Sequence, residues 1–209
     1  MKPGAPSGAF WSNARVPTSP DALFIHTMKP FEFVLVIISV IIGLVLTEFA
    51  IGISYMIQHY RTAVYYGPHM AYCGLGFIGC LNYWGTLYRL RNLPTWTIPQ
   101  MGIIFITGLF FCISSQIIMP DENNFDHDYK RYFNENAPVL YSIMVCLVIS
   151  LIIESYLIKK VRNLKWYIVM TLNISLGLSG VFIDSDSYRG SLAILLLVLQ
   201  LYNMYSTRV

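Results

Sequence analysis

From Phe31 to Ile57 the chain reads FEFVLVIISVIIGLVLTEFAIGISYMI, an apolar run interrupted by a single carboxylate at Glu48 once past Glu32. About 20 apolar residues in helical form cross a hydrocarbon core of about 30 Å, so this stretch is long enough to be a membrane span. The same kind of segment recurs five more times. The spans expected are 31–57, 68–90, 97–119, 137–158, 164–183 and 188–205. The predicted fold class is therefore all-α, a polytopic bundle of six transmembrane helices. Residues 1–30, rich in Pro, Ser, Gly and Ala, read as a loose tail without helical or strand period, and the core-forming protein is expected to begin near Met28.

Composition agrees with this reading. Hydrophobic residues make up 56% of the chain and charged residues only 12%, too little charge to coat a water-soluble protein of 209 residues. The net charge of +3 is consequently loop charge and points to no nucleic-acid partner. Ten of the basic residues, Lys2, Arg15, Lys29, Arg89, Arg91, Lys159, Lys160, Arg162, Lys165 and Arg208, fall on one side if there are six spans. Arg61, Lys130, Arg131 and Arg189 fall on the other, with the acids Asp121, Glu122, Asp126, Asp128, Glu135, Asp184 and Asp186. By the positive-inside rule both termini are expected in the cytoplasm.

Ring residues reinforce the boundaries. Tyr55, Tyr60, Tyr65, Tyr66 and Tyr72 gather at one set of helix ends, and Trp84, Tyr88, Trp96, Trp166, Tyr167 and Tyr205 at the other, as expected of interfacial belts. In the longest loop, 120–137, Phe125, Tyr129, Tyr132 and Phe133 recur at helical spacing, which predicts a short helix lying on the outer leaflet or a solvated cap.

Glu48 is the sharpest candidate for function. It lies roughly 14 Å of helix from Ile57. An ionised carboxylate at such a depth costs on the order of 2.5–3.5 kcal/mol, so it should face a bundle, a cavity or a partner. Its two readings are a packing residue and an ion, proton or substrate site. Ser39, Gly43, Thr47, Ala50 and Ser54 follow one another at spacings of four, four, three and four. They make a small-residue face suited to close helix contact, with Glu48 read on its flank and with the glycine-bearing second span, or another chain, as its partner.

Asn82, Ser114, Ser115, Gln116, Asn173, Gln200 and Asn203 are expected to hydrogen-bond between helices. Glu154 reads as an interfacial ion pair with Lys159 and Lys160. Cys73, Cys80, Cys112 and Cys146 all lie in apolar segments without a CxxC pair, so neither disulfide nor zinc is expected. No histidine is read in the interior of a span, against a haem held between helices, and His59, His69 and His127, all on the outer side, lack a fixed ligand spacing for a metal. No nucleophile elbow or phosphate loop is present, so no cofactor is expected and an enzyme is the minor reading.

The opening FEFVLVIISVIIGLVLTEFAIG, the NYWGTLY of the second span and the DHDYKRYF before the fourth resemble a family of small, uncharacterised six-helix proteins of the bacterial inner membrane. The resemblance covers about residues 28–205 and implies the six-helix fold and that location, with no activity attached. Two functions follow as expectations: a small channel- or transporter-like bundle using Glu48, or a non-conducting anchor, sensor or accessory subunit. The partners implied are the lipid bilayer and either further copies of the chain or another membrane protein.

Overall fold

The computed structural model describes residues 30–93, 95–120, 128–159 and 164–206, and they form six long helices. These are α1 (Pro30–Gln58), α2 (Gly67–Tyr88), α3 (Ile98–Ile118), α4 (Tyr129–Glu154), α5 (Leu164–Phe182) and α6 (Asp186–Ser206). The expected tail and the Met28 start lie outside the described residues. A 3-10 turn, Arg89–Asn92, follows α2, and a π turn, Ser155–Lys159, continues α4.

Four segments are both long and apolar enough to cross a membrane: Pro30–Gln58, Ile98–Ile118, Tyr129–Ile158 and Leu164–Phe182. This makes the chain, by length and composition, a membrane protein. Helices α2 and α6 match these in length but are less apolar, because α2 carries His69, Asn82 and several glycines and α6 carries Asp186, Arg189 and Gln200. Outward-facing side chains tell the same story. Val36, Val40, Leu44, Ile51, Ile106, Ile149, Ile168 and Val198 are all exposed, an apolar surface far beyond what water tolerates.

Helix contacts close into a ring in the order α1, α3, α4, α5, α6, α2, with α2 also touching α3 and α4. Successive helices alternate in direction. At the end where α1 starts, Phe31 meets Trp96 and Gln100 of α3 donates to the Leu157 carbonyl at 3.1 Å. At the end where α1 finishes, Tyr65 donates to the Met56 carbonyl at 2.6 Å, Tyr132 to Ile117 at 2.8 Å and Tyr66 to Asp186 at 3.3 Å. The bundle thus has a Pro30 end and a Gln58 end.

The loop expected at 120–137 is corrected by α4. Asp128 caps that helix by accepting from the backbone of Lys130 and Arg131 at 3.0 and 3.1 Å, so helix begins at 129 rather than near 137. Tyr129 and Phe133 point into the bundle and are fully buried rather than lying in lipid, while Phe125 is outside the described residues. Burying two aromatic side chains against α2 outweighs exposing them at an interface, since each removes a large apolar area from water. The belts are corrected in the same way: Tyr55 and Tyr72 are core, whereas Tyr60, Tyr65, Trp84 and Tyr88 are exposed.

Candidate functional site: a buried carboxylate between three helices

Two faces of α4 are buried. Tyr141 and Val145 lie against α5, where the missing side chains of Gly177 and Gly180 let α4 approach closely. Phe133, Leu140, Leu147 and Glu154 recur every seven residues, which in a helix keeps them on one side. That side looks toward α2: Tyr72 donates to the Leu140 carbonyl at 2.8 Å, and Tyr83 faces the Glu154 carboxylate.

Glu154 is 0% exposed. Its carboxylate therefore lies inside the bundle, at the end of α4. The side chains of Lys159 and Lys160 lie outside the described residues. Around Glu154 the three helices supply oxygens. The Tyr83 hydroxyl donates to the Ile104 carbonyl of α3 at 3.1 Å. One turn before Glu154, the Ser150 hydroxyl lies 3.1 Å from that of Thr107 on α3. Thr107 also reaches the Ile103 carbonyl at 2.9 Å, and Ser150 the Leu147 carbonyl at 2.7 Å. Two hydroxyl protons thus serve three contacts, so the pair can redistribute them.

Immediately after Glu154 the helix loosens into the π turn, a feature that inserts one residue and often accompanies functional sites. Gln100 holds this turn from α3. Its amide nitrogen donates to the Leu157 carbonyl at 3.1 Å, while its oxygen accepts from the Thr97 backbone at 3.0 Å, closing the start of α3. A freed carbonyl and an N-terminal amide are satisfied by one side chain, which fixes the register of α3 against α4.

Glu48 sits elsewhere. It is half-buried on the α3 side of α1, near Cys112. The small-residue face points away from both. Gly43, Thr47, Ala50 and Ser54 are exposed and Ser39 is half-buried, while the core face of α1 is built from Ile38, Ile42, Val45, Phe49 and Gly52. At about 100° per residue, Glu48 is turned about 140° from the centre of the small stripe, so it is not on that stripe's flank. A Cβ built on Gly43 meets nothing within 4 Å. Within the chain α1 meets α2 through Phe49 against Gly76, not through the stripe.

A second polar group closes the Gln58 end. His69, read as a residue of the outer side, is in the first turn of α2, fully buried, and hydrogen-bonds the Ile118 carbonyl at 2.9 Å. Tyr129, Tyr132 and Phe133 surround its ring. Arg189 is buried too. It donates to the Gly180 carbonyl at 3.2 Å and to Asp184 at 2.8 Å, and its own carbonyl accepts from Tyr141 at 2.6 Å. These contacts tie α2, α3, α4, α5 and α6 together and read as a structural clasp. Of the other polar residues, Ser115 and Asn173 bond within their own helices, to Cys112 and Val169, and Asn82 and Gln116 are exposed. Cys73 and Cys80 are buried, Cys112 half-buried and Cys146 exposed, all as free thiols.

Geometry of this kind defines a helical membrane bundle with a polar centre between α2, α3 and α4. No protein-family model, curated protein or solved structure matches the chain.

Proposed function

We propose that the chain is a six-span protein of the bacterial inner membrane with both termini in the cytoplasm, working as a small channel- or transporter-like bundle. In this reading Glu154, rather than Glu48, is the carboxylate that a proton or small cation meets. The observation that carries it is the complete burial of Glu154 in an apolar helix, facing Tyr83 and one turn from the Thr107–Ser150 pair. A carboxylate taken out of water is costly unless it is paired or hydrogen-bonded, and buried acids of membrane helices commonly mark ion or proton paths. The loosened π turn beside it gives α4 a place to move.

Vesicles carrying the purified chain and an internal pH indicator test the reading under imposed proton, sodium and potassium gradients. Flux that is abolished by Glu154→Gln and retained by Glu48→Gln is expected. Wild-type vesicles as tight as empty ones would refute conduction. Side-specific labelling tests the topology: with an impermeant maleimide on intact cells, Lys130→Cys should react and Lys165→Cys should not, both sites being exposed at opposite ends.

A second reading has its own support. The exposed stripe Ser39, Gly43, Thr47, Ala50 and Ser54 suits a close helix contact outside the chain, as a non-conducting accessory subunit or a homo-oligomer would make. Loss of a co-purifying protein or of the oligomer on Gly43→Leu would favour it.

A further inference from the structure

Between α1 and α2, toward the Gln58 end, runs a groove of about 220 Å³ lined by Phe49, Ile53, Met56, Met70, Gly74 and Phe77, with Cys73 and Met119 at its floor. From the level of Met56 and Met70 to that of Phe49 and Phe77 it extends about seven residues of helix, roughly 10 Å. Ile53 and Phe77 are exposed, so the groove opens on the outer wall of the bundle rather than into its centre. Its volume is too small for a helix, which is about 10 Å across with its side chains. Three methionines give it walls that adapt to a flexible chain.

Two further features bear on what fills it. Gly74 lines the groove although a Cβ there would meet nothing within 4 Å. Alanine would fit and would favour the helix by about 0.8–1 kcal/mol in ordinary helical contexts, so the glycine leaves room that the chain itself does not use. The second is charge. Arg61 stands exposed in the turn that joins the two walls, with its Nε donating to the Tyr60 hydroxyl at 2.6 Å and its guanidinium 5.3 Å from that ring. Among the described residues it meets no carboxylate.

We propose that this groove is a phospholipid site: one acyl chain lies between α1 and α2, and Arg61 holds an anionic headgroup at its mouth. An apolar slot open to hydrocarbon and an exposed guanidinium in the turn beyond its end, with no carboxylate partner among the described residues, match the two halves of such a lipid. The arginine makes the preference for negative headgroups about five-fold, the equivalent of about 1 kcal/mol for one basic residue at a membrane surface.

Native mass spectrometry of the full chain, purified in detergent with equal amounts of phosphatidylglycerol and phosphatidylcholine of identical acyl chains, tests this. Wild type should retain one lipid, with phosphatidylglycerol favoured about five-fold. Gly74→Leu should lose both lipids, and Arg61→Gln should keep one without preference between them. Ile53→Trp fills the same slot from α1 and replaces Gly74→Leu if that variant melts early in plain detergent. Retention of lipid by the filled-groove variants, wild type without bound lipid, or a second chain in the lipid's place would each overturn the proposal.

Discussion

Two apolar helices, α1 and α4, each bring a carboxylate to the bundle, Glu48 far from either end of α1 and Glu154 at the last residue of α4, and the bundle treats them differently. On α1 the outward wall is bare: a small-residue stripe and a row of Val36, Val40, Leu44 and Ile51 face away from the chain, and Glu48 sits half-buried at the margin. On α4 both sides are occupied, one by α5 and one by α2 with α3, and Glu154 is sealed among them. The difference comes from position in the ring. Helix α1 touches its neighbours along one side, whereas α4 packs against α2, α3, α5 and α6. An intramembrane acid therefore takes its meaning from the angle at which its helix presents it, not from how apolar the surrounding sequence is.

The sharpest way to probe the crowded side is Tyr141→Ala. That ring is fully buried, stands edge-on to Tyr72 at 5.6 Å, and carries the hydroxyl that bonds Arg189. Removing it should cost about 3–5 kcal/mol, from the cavity and the unpaired carbonyl together. Reversible unfolding in mixed micelles reads the loss. A cost under about 1 kcal/mol would mean that the α4 interface collapses freely and is not the packed side.

Glycines separate the two sides more finely. A Cβ at Gly180 would lie 2.8 Å from the Tyr141 ring and from Leu192, neither of which has room to retreat. Gly180→Ala should therefore destabilise by about 1–3 kcal/mol. Gly43→Ala, on the bare wall, should be neutral or stabilise by up to about 1 kcal/mol through helix propensity. Equal effects of the two in the same unfolding assay would erase the contrast between the helices. A clear loss from Gly43→Ala in membranes, but not in dilute detergent, would instead show that another helix covers α1 there.

Much of this architecture is legible in the chain. The apolar runs and the loop charges place six helices whose bounds the structure moves by a few residues, except at α4, where the cap at Asp128 was hidden by reading 120–137 as loop. The site was less legible. Lys159 and Lys160 beside Glu154 suggest an ion pair at the helix end, whereas its seven-residue spacing from Phe133, Leu140 and Leu147 puts it on a core face. Periodicity shows which residues share a side; only tertiary contacts show which side is covered. The small stripe of α1 illustrates this: its spacing puts Gly43, Thr47, Ala50 and Ser54 on one side, and within the chain that side is left exposed rather than set against α2. His69 failed for a related reason. One polar ring can be buried when a single backbone acceptor such as the Ile118 carbonyl waits for it, and that acceptor is 49 residues away.

The smallest effect expected is at the residue that stood out first. Glu48 is half-buried, lies near the thiol of Cys112, and shares no face with the stripe. Glu48→Gln keeps its shape and opens no cavity, so in the unfolding assay it should shift stability by less than about 1 kcal/mol. It should also leave any ion flux in place while Glu154→Gln removes it. The paired measurement has a clean reverse outcome: if Glu48→Gln alone stops flux, then the half-open wall of α1 is where ions pass, and the polar centre between α2, α3 and α4 is structural.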